Sequence, residues 1–455
     1  MALRLVVLGF IIGSLVGCAS YQSKPLPIHA DSSKSVASVT INQNDLPFQV
    51  LTTHKFNPAD GFDIDEIAML AVANNPELKQ ARDNLGIARA QAFAAGLLPD
   101  PQLGISMDHP TNAAVGNTNA FNLNLSEDIN AFLLHSSRKE VAASDIKRVN
   151  MELLWQEWQV VSQARLLFTR LTIQSILMKQ LRTSLGILQH SYDRNQRALA
   201  DGNQTIDVVG TELISLQSVE QQVNELERNE LQNRTSLNAL LGMAADVTLP
   251  LVGEPKIVPI DVRRIKADID QYLLKRPDLL ALQAGYRSQE KKYRGAVLAQ
   301  FPALNIGITR ARDTSDLYTL GFGLSLSLPV LNGNRGNIAI EKTTRKKLFD
   351  EYQARLNSAH NEILTALGNL PLLQNQYQRT EHGEKKYDDI AQRTKVAFQA
   401  GNIAAADYVR IQSALLNKQT EVLNLREALL EQQIALETEL GPEVFKQNKQ
   451  DGDRR

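Results

Sequence analysis

The sequence is poor in the residues on which many globular and catalytic proteins depend. Cys18 is the single cysteine among 455 residues, so one mature chain forms neither an internal disulfide nor a thiolate metal site. Aromatic residues make up 5% of the chain against 43% hydrophobics, which predicts burial between helices rather than in a compact core. The formal net charge of −1 gives no basic surface for nucleic acid.

Motifs for catalysis are also missing. The seven histidines never form a metal-spaced pair, and no Gly-x-Ser-x-Gly turn precedes a helix. The nearest glycine-rich run, Asn332 to Gly336, is explained by a turn after a strand. We therefore expect no enzyme activity, no cofactor and no metal site.

The chain begins with an export signal. Met1–Arg4 is short and basic, and the apolar run Leu5–Val16 is shorter than the about 20 residues of a spanning helix. Residues 1–17 are predicted to be the signal peptide, because the string LVGC ending at Cys18 resembles a bacterial lipobox, whose cysteine is acylated (palmitate in a lipoprotein). An ordinary cleaved signal with a chance cysteine is the alternative. By resemblance to sorting rules, Ala19 favours transport to the outer membrane.

Two related units make up most of the remainder. The sequence repeats itself with a constant offset of 201 residues, so that Pro101 matches Pro302 and Leu103 matches Leu304. The predicted domains are a lipid-anchored extended arm at 18–62, a first repeat at 63–262, a second repeat at 263–441 and a disordered tail at 442–455.

Each unit contains two segments in which apolar and small polar residues alternate, as in strands. The strand pairs are predicted at about 98–128 and 301–329. One face carries leucine, isoleucine and phenylalanine, and the other carries glycine, serine and asparagine, as in a membrane barrel with a wet lumen. Four strands are too few to close such a barrel, so the chain must share it with copies of itself. A soluble periplasmic sheet is the alternative.

A long helical hairpin follows each strand pair, at about 136–241 and 336–440. Apolar residues recur every seven positions, which imposes supercoiling. About sixty residues predict an outgoing helix of roughly 90 Å. Pro371 is expected to kink or break the second outgoing helix about halfway along its length.

The turns of the two hairpins follow helix-ending rules. Gly202 and Gly401 are predicted to end the outgoing helices in the left-handed conformation. Asn203, Thr205 or Asn402 is the candidate cap for the helix that returns.

A set of short motifs recurs in the same order in both units, between Asp63 and Gly441. They are Ala71–Pro76 with Glu77-Leu78 and Ala81-Arg82, the echo Lys275–Leu279, the strand entries Leu98-Pro99 and Phe301-Pro302, Leu328-Pro329-Val330 leading to Gly333–Gly336, and the closing pairs Leu241-Gly242 and Leu440-Gly441. None is specific alone, but their duplicated order resembles the TolC-like family of bacterial outer-membrane efflux proteins. The first unit departs at Ser126-Glu127-Asp128, which puts a regular exit from that strand in doubt.

The resemblance implies a mainly α protein with membrane β-structure. Three chains would give four strands each to a twelve-stranded outer-membrane β-barrel, and their coiled-coil hairpins would form a periplasmic α-barrel. The homotrimer would dock on a periplasmic adaptor (membrane fusion) protein and an inner-membrane pump, commonly of the resistance-nodulation-division class. The predicted function is efflux of small toxic solutes, drugs or metal ions. The string Pro99-Asp100-Pro101 faintly resembles the metal-efflux branch.

The candidate site residues are the exposed ends of the two hairpins. The predicted adaptor contacts are Leu199, Gly202, Asn203, Phe398, Gly401 and Asn402. Asp201, Asp207 and Asp407 lie near these ends, and three chains would repeat each into a ring of like charge that selects cations or forms a gate. Interaction with the helix dipole is the alternative, and it suits Asp207 and Asp407 especially.

Other readings stay open at this point. The duct of a type I protein secretion system would have nearly the same sequence features. A lipid-anchored periplasmic adaptor or coiled-coil scaffold belongs to another class, although an adaptor usually has one hairpin rather than two. An enzyme is the weakest reading. The predicted location is the outer membrane, with a lipid anchor and helices extending into the periplasm.

Overall fold

The structure is a computed structural model that describes residues 20–29, 32–34, 41, 46, 49–112 and 116–441. The signal peptide with Cys18 and the predicted disordered tail at 442–455 lie outside the described residues.

Helices and strands follow one another in the order that the duplication predicts. They are α1 (Gln49–Thr53), α2 (Ile64–Asn74), α3 (Pro76–Gly96), β1 (Gln102–Asp108), β2 (Ala120–Asp128), α4 (Ile129–Ala200), α5 (Ile206–Leu240), α6 (Val262–Ala267), α7 (Ile269–Leu273), α8 (Pro277–Leu298), β3 (Ala303–Arg312), β4 (Tyr318–Ser327), α9 (Arg335–Gln399) and α10 (Ala405–Leu440). The short helices α6 and α7 precede α8 in the second repeat as α2 precedes α3 in the first.

Helix α3 begins where the sequence predicts, at Asn75-Pro76. The Asn75 side chain accepts a hydrogen bond from the Leu78 N–H at 2.9 Å, and Pro76 occupies the first helical position, where no N–H is needed. The Asn75 amide also donates to the Leu240 carbonyl at 3.0 Å. The start of α3 is therefore attached to the end of the first hairpin.

Two glycines close the hairpins at their bases. Gly242 follows α5 with a φ of 66°, and a Cβ there would lie 2.9 Å from the Asn74 carbonyl oxygen. Gly441 follows α10 with a φ of 91°, and its Cβ would lie 2.8 Å from the Trp158 ring. Both positions need glycine because the backbone is left-handed and approaches its neighbour closely.

The four strands form one antiparallel sheet in the order β1-β2-β3-β4. Leu103 pairs with Leu125, Leu125 with Ile308, and Ile308 with Phe322, so one row crosses all four strands. The sheet joins the two repeats, and β1 and β4 are its free edges.

The first repeat leaves the sheet without a linker. Strand β2 ends at Asp128 and α4 begins at Ile129, and the Asp128 carboxylate accepts a hydrogen bond from the Asn130 N–H at 2.9 Å. The doubt about a regular exit at Ser126-Glu127-Asp128 was unfounded, since Asp128 serves as the helix cap. In the second repeat, a turn between β4 and α9 ends with Asn334 at a φ of 56°.

The long helices form a wall one helix thick. Helix α4 contains 72 residues, about 110 Å at 1.5 Å per residue, and α9 contains 65. Near the sheet the helices lie side by side in the order α3-α4-α8-α9, and farther away in the order α5-α4-α10-α9. Helix α4 is longer than the expected 90 Å because it starts directly at the strand.

Pro371 does not break α9, which continues on both sides of it. Its neighbours Leu367 and Leu370 are buried in the apolar cluster of the second repeat, and this burial holds the helix together where proline removes one hydrogen bond. A kink at this position remains a prediction.

Two arginines connect the repeats. Arg276 is fully buried, forms a bidentate pair with Asp278, donates to Glu439, and lies 4.9 Å from the ring centroid of Trp155 in α4. Asp278 also accepts from Arg355 of α9 at 2.7 Å. Burial alone would raise the pKa of Asp278, but the two guanidinium groups outweigh it and hold that pKa below its usual value.

The second arginine is Arg165 of α4. It bonds Asp65 at 2.7 Å and Glu437 of α10 at 2.6 Å. Burial lowers the pKa of Arg165, but the two carboxylates raise it more, so the group stays charged. The elements of both repeats are thus fixed to one another at the level where the hairpins begin.

Candidate functional site in the sheet faces and hairpin tips

One face of the sheet is apolar and exposed. Its apolar members on the four strands are Leu103, Ile105 and Met107; Phe121, Leu123 and Leu125; Leu304, Ile306 and Ile308; and Tyr318, Leu320, Phe322, Leu324 and Leu326. Three charged residues share this face, Glu127 at the end near the helices and Arg310 and Arg312 toward the other end. Leu320 and Phe322 are 78% and 73% exposed, although such side chains are normally buried in proteins surrounded by water. The face needs an apolar environment that one chain does not supply.

The opposite face carries small and mostly uncharged side chains. Across the middle of the sheet it presents Gly104, Asn124, Thr309 and Gly321, which lie in one row of paired residues. Asp108 and Asp128 are the acids of this face and stand at its two ends. Such a surface suits contact with water, so the two faces of the sheet suit different environments.

Aromatic side chains stand at the end of the sheet that is farther from the helices. The rings of Phe121 and Tyr318 are 6.2 Å apart in an edge-on arrangement. The Arg312 guanidinium lies 5.6 Å from the centroid of Phe121 and 5.9 Å from that of Tyr318. Aromatic residues occupy the borders between hydrocarbon and water in membrane β-barrels.

Among the described residues, no helix is both long and apolar enough to cross a membrane. The same part of the chain contains no cluster of three or more histidine, cysteine or acidic side chains that could hold a metal ion.

The hairpin tips have the predicted backbone conformation. Gly202 and Gly401 have φ values of 71° and 74°. The Asn203 N–H donates to the Ala198 carbonyl at 2.7 Å, and the Asn402 N–H donates to Ala397 at 2.9 Å. These bonds close a Schellman motif at both tips, so the two glycines end their helices as expected.

The return helices are capped differently from the prediction. Thr205 occupies the N-cap of α5 but its side chain makes no capping hydrogen bond, and Ala404, rather than Asn402, is the N-cap of α10. Capping by Asn203 or Asn402 was therefore wrong. Both asparagines lie in the Schellman turns, where their backbone N–H groups satisfy the preceding helix instead.

The predicted contact residues divide into two groups. Gly202, Asn203, Gly401 and Asn402 are exposed at the tips. Leu199 and Phe398 are half-buried. A partner that docks on the tips therefore first meets backbone and amide groups.

Phe398 takes part in a contact between the hairpins. Its ring stacks on Tyr408 of the same hairpin, with centroids 4.7 Å apart and planes 3° apart. The Arg194 guanidinium of α4 lies 5.2 Å from the Phe398 centroid. The sequence singled out Phe398 but missed Arg194, because a cation–π pair between distant segments leaves no local pattern.

The three candidate gate acids are all exposed, but their surroundings differ. Asp407 forms an ion pair with Arg410 at 2.8 Å. The pKa of Asp207 is lowered, mainly by a hydrogen bond from the Thr205 hydroxyl and to a smaller extent by one from the backbone N–H of Asp207 itself. Asp201 has no ion-pair partner among the described residues.

A buried carboxylate lies behind the first tip. Glu212 is 2% exposed, and its Oε1 accepts from the Ser191 hydroxyl at 2.9 Å and the Asn195 amide at 2.7 Å. Its Oε2 has no hydrogen-bond partner. These residues occupy positions facing the hairpin interior, and sequence reasoning missed them because they interrupt the apolar pattern individually.

Comparisons with known proteins agree with this architecture. Residues 269–442 match the family model described as outer membrane efflux protein. The cation efflux system protein CusC of Escherichia coli strain K12 is 22% identical over 395 residues, covering 82% of this chain and 84% of CusC. A CusC crystal structure, 18% identical, covers 93% of this chain and all of its own with a TM-score of 0.69. The Campylobacter jejuni CmeC outer membrane channel, 19% identical, covers 93% of this chain and 95% of its own with a TM-score of 0.70.

The second repeat matches this family model and the fold is shared over nearly all of the chain, so the chain is similar to TolC-like outer-membrane efflux proteins over most of its length. The family provides the outer-membrane component of tripartite efflux systems, and its members are channels rather than enzymes. The predicted resemblance and the mainly helical fold with a four-stranded sheet are confirmed.

Proposed function

We propose that three copies of the chain close into one duct, which carries small toxic solutes from an adaptor and an inner-membrane pump across the outer membrane. The observation that carries this proposal is the open wall with two free edges. Strand β1 and helices α3 and α5 form one edge, and strand β4 and helix α9 form the other. The backbone N–H and C=O groups of an edge strand are unpaired until another strand binds them. Three walls joined edge to edge pair all of these groups and leave no edge free.

The distribution of exposed apolar side chains supports closure by copies. Large exposed hydrophobics occur along the edge helices: Ile87 and Phe93 on α3, Ile206, Ile214 and Leu231 on α5, and Ile340, Phe349, Leu372, Ile390 and Val396 on α9. The inner helix α10 has none among its described residues, and inner helix α4 has two, both close to the sheet. Apolar surface therefore remains where a neighbouring chain would cover it.

The arm supports the predicted lipid anchor at Cys18. The Ser33 N–H donates to the Gly242 carbonyl at 3.1 Å, and the Ala244 N–H donates to the Ser33 carbonyl at 2.9 Å. This attachment lies about one α3 length, roughly 30 Å, from the sheet. About fifteen residues separate Cys18 from Ser33 and span up to about 50 Å when extended, which is enough to reach the membrane.

The exposed tips are the proposed adaptor contacts, with Leu199, Gly202 and Asn203 in one hairpin and Phe398, Gly401 and Asn402 in the other. Asp201 is the strongest of the proposed gate residues, because Asp207 and Asp407 are already satisfied within their own helices. A threefold ring of Asp201 carboxylates would attract cations at the entrance. Metal ions or drugs fit such a duct, and the relative named as a cation efflux protein favours small solutes over secreted proteins.

The central experiment purifies the protein from outer membranes in mild detergent and measures its mass and single-channel conductance. A trimer that conducts is expected. A monomer that remains in aqueous solution without detergent and does not conduct would end the proposal.

The anchor and the tips have separate tests. Cys18→Ser should abolish acyl labelling while the trimer still forms, and persistent label would reject Cys18 as the anchor.

Asn402→Cys carrying a thiol-reactive crosslinker should capture the adaptor, whereas Asn337→Cys, near the sheet, should not. Equal capture at both positions would remove the tips as the contact. Asp201→Ala should reduce cation preference in conductance more than Asp407→Ala does, and the reverse order would reject Asp201 as the gate.

A further inference from the structure

The apolar face of the sheet carries two cations, Arg310 and Arg312, toward the end that is farther from the helices. Arg310 of β3 pairs with Leu123 of β2 and Leu320 of β4, so it shares their face, and its side chain is exposed. Along its own strand its neighbours on that face are Ile308 and Arg312. Arg310 has no hydrogen-bond or ion-pair partner among the described residues.

Arg312, two residues farther along, is held differently. Its guanidinium donates two hydrogen bonds to the Asn119 carbonyl at 3.2 and 2.8 Å, and it lies 3.4 Å from the Asp316 carboxylate. The other acid of this turn, Asp313, accepts from the N–H groups of Ser315 and Leu317. The nearby acids are thus occupied, and Arg310 remains unneutralised.

The cation is specific to the second strand pair. The β3–β4 pairing extends to Arg312 and Tyr318, whereas the β1–β2 pairing ends at Asp108 and Ala120. His109, which matches Arg310 by the offset of 201, lies beyond the end of β1 with its ring nitrogen 2.8 Å from the Asn119 side chain. Each chain therefore presents one such arginine on this face.

A second copy of the chain does not supply the missing anion. If copies join β4 to β1, the strand next to β4 presents Leu103, Ile105 and Met107 on this face, because Asp108 points to the opposite face. The partner of Arg310 must combine negative charge with apolar surface, since its cross-strand neighbours on this face are Leu123 and Leu320 and its neighbours along the strand are Ile308 and Arg312. A lipid with a phosphate on its headgroup has both.

We propose that Arg310 binds the phosphate of a lipid headgroup in the outer half of the membrane, with the acyl chains lying on Leu123 and Leu320. This rests on the proposed barrel. Arg310 stands near the sheet end that is farther from the helices, and a long arginine side chain extends along apolar surface toward the headgroup level. The planar guanidinium forms paired, charge-assisted hydrogen bonds with phosphate oxygens.

The test compares the wild type with Arg310→Leu, Arg310→Lys and the control Arg393→Leu. Leucine suits the apolar face, so the first variant should fold, and Arg393 is an exposed arginine of α9 far from the sheet. Trimers in mild detergent are incubated with a diphosphorylated glucosamine-based lipid or with the same lipid lacking both phosphates. Retained lipid is then counted by native mass spectrometry.

The wild type should retain the phosphorylated lipid roughly tenfold more strongly, as expected for one charge-assisted pair. Arg310→Leu should lose this preference, Arg310→Lys should keep part of it, and Arg393→Leu should keep it all. Inorganic phosphate should not displace the lipid.

Three results would overturn the inference: no preference in the wild type, an unchanged preference in Arg310→Leu, or displacement by inorganic phosphate, which indicates a site for the free ion. Conductance is recorded on the same samples. A conducting trimer without lipid preference rejects only the lipid site, whereas failure to form a conducting trimer rejects the barrel and the lipid site with it.

Discussion

The two repeats have the same order of elements but occupy different places in the wall. Helix α4 of the first repeat has neighbours on both sides, and seventeen of its 72 residues are buried. Helix α9 of the second repeat stands at an edge, and six of its 65 residues are buried. The seven-residue stripe of α9 is covered within the chain at Ile363 and Leu370, whereas its exposed hydrophobics, among them Phe349 and Leu372, face a copy in our proposal.

The difference shows what a heptad pattern specifies. It predicts that one stripe of the helix will be buried against another helix, but not whether that helix belongs to the same chain or to a copy. Phe349 fits the pattern of α9 as well as Leu153 fits that of α4, yet Phe349 is exposed in the single chain and Leu153 is buried. The stripe of α9 is thus covered by its own chain over its middle and left exposed at Phe349, and the exposed part agrees with the proposed assembly.

The largest effect is expected where the two repeats are joined. Asp278→Asn would leave Arg276 buried with only Glu439 as its acid partner, which should destabilise the protein by about 3–5 kcal/mol. The folded-state pKa of Asp278 is lowered, so its stabilising effect exists above the unfolded pKa near 3.8 and is lost as the pH falls below it. Unfolding midpoints of the wild type and the variant should thus converge in acid.

Asp350 is exposed in α9, and Asp350→Asn is the control for this substitution. It should leave the unfolding midpoint unchanged. A neutral-pH midpoint equal to that of the wild type would show that the repeats do not depend on the Arg276 contact.

The next prediction concerns the sheet, in which both repeats contribute strands to one apolar face and one polar face. Leu125→Arg places a charge on the apolar face and should cost about 2–4 kcal/mol per chain, which would prevent barrel formation in the outer membrane. Asn124→Arg, on the opposite face, should allow assembly and shift ion selectivity toward anions. Trimer yield and reversal potential measure the two outcomes. Equal yields would show that neither face meets hydrocarbon.

A smaller effect is expected at the edge of the wall. Leu231 on α5 is exposed in the single chain, and Leu231→Lys should weaken association by about 2 kcal/mol if a copy buries it. Gln232→Lys, one residue away, is the matched control. Trimer dissociation is followed by mass photometry on dilution. Dissociation of both variants at the same concentration would exclude Leu231 from the interface.

The smallest effect concerns Glu427 of α10. Burial, reinforced by the nearby Glu431 carboxylate and opposed by Arg170, raises the pKa of Glu427 to about 7. Because the folded state holds this proton more tightly, the associated stability is complete below the unfolded pKa and is lost as the pH rises through 7. Glu427→Gln should therefore stabilise the protein by about 1 kcal/mol at alkaline pH, after allowance for solvent screening, and have little effect in acid.

Thermal midpoints across the pH range test this, with the exposed Glu351→Gln as the reference. If the gain from Glu427→Gln does not grow with pH, the carboxyl titrates in its ordinary range.

Much of the fold was predictable because its signals are local. Pro76 marks a helix start, Gly202 and Gly401 mark helix ends, and the alternating residues of the strands assign both faces of the sheet. The predicted strand pairs and hairpins agree in order with the observed elements. The direct passage from β2 into α4 was missed because Asp128 was read as a departure from a motif rather than as a cap.

The remaining features depend on residues that are distant in the sequence. The contact of Arg276 with Trp155 and Glu439, and that of Arg194 with Phe398, appear only when the hairpins are side by side. Glu212 looked like an ordinary polar position, because its burial depends on how α5 faces α4. Arg310 was likewise not predicted from the sequence, because only the pairing register of β2, β3 and β4 places it between Leu123 and Leu320.

The two passages from sheet to helix have a mechanical consequence. At Asp128 the strand becomes helix without an intervening residue, so rotation of α4 would be transmitted directly to β2. After β4 the segment 328–334 intervenes, and changes in its backbone dihedral angles would absorb a rotation of α9. In the proposed ring of three chains, three direct junctions to α4 would alternate with three junctions to α9 that contain an intervening segment, so a torque applied at the hairpin tips would act on the sheet mainly at the three direct ones.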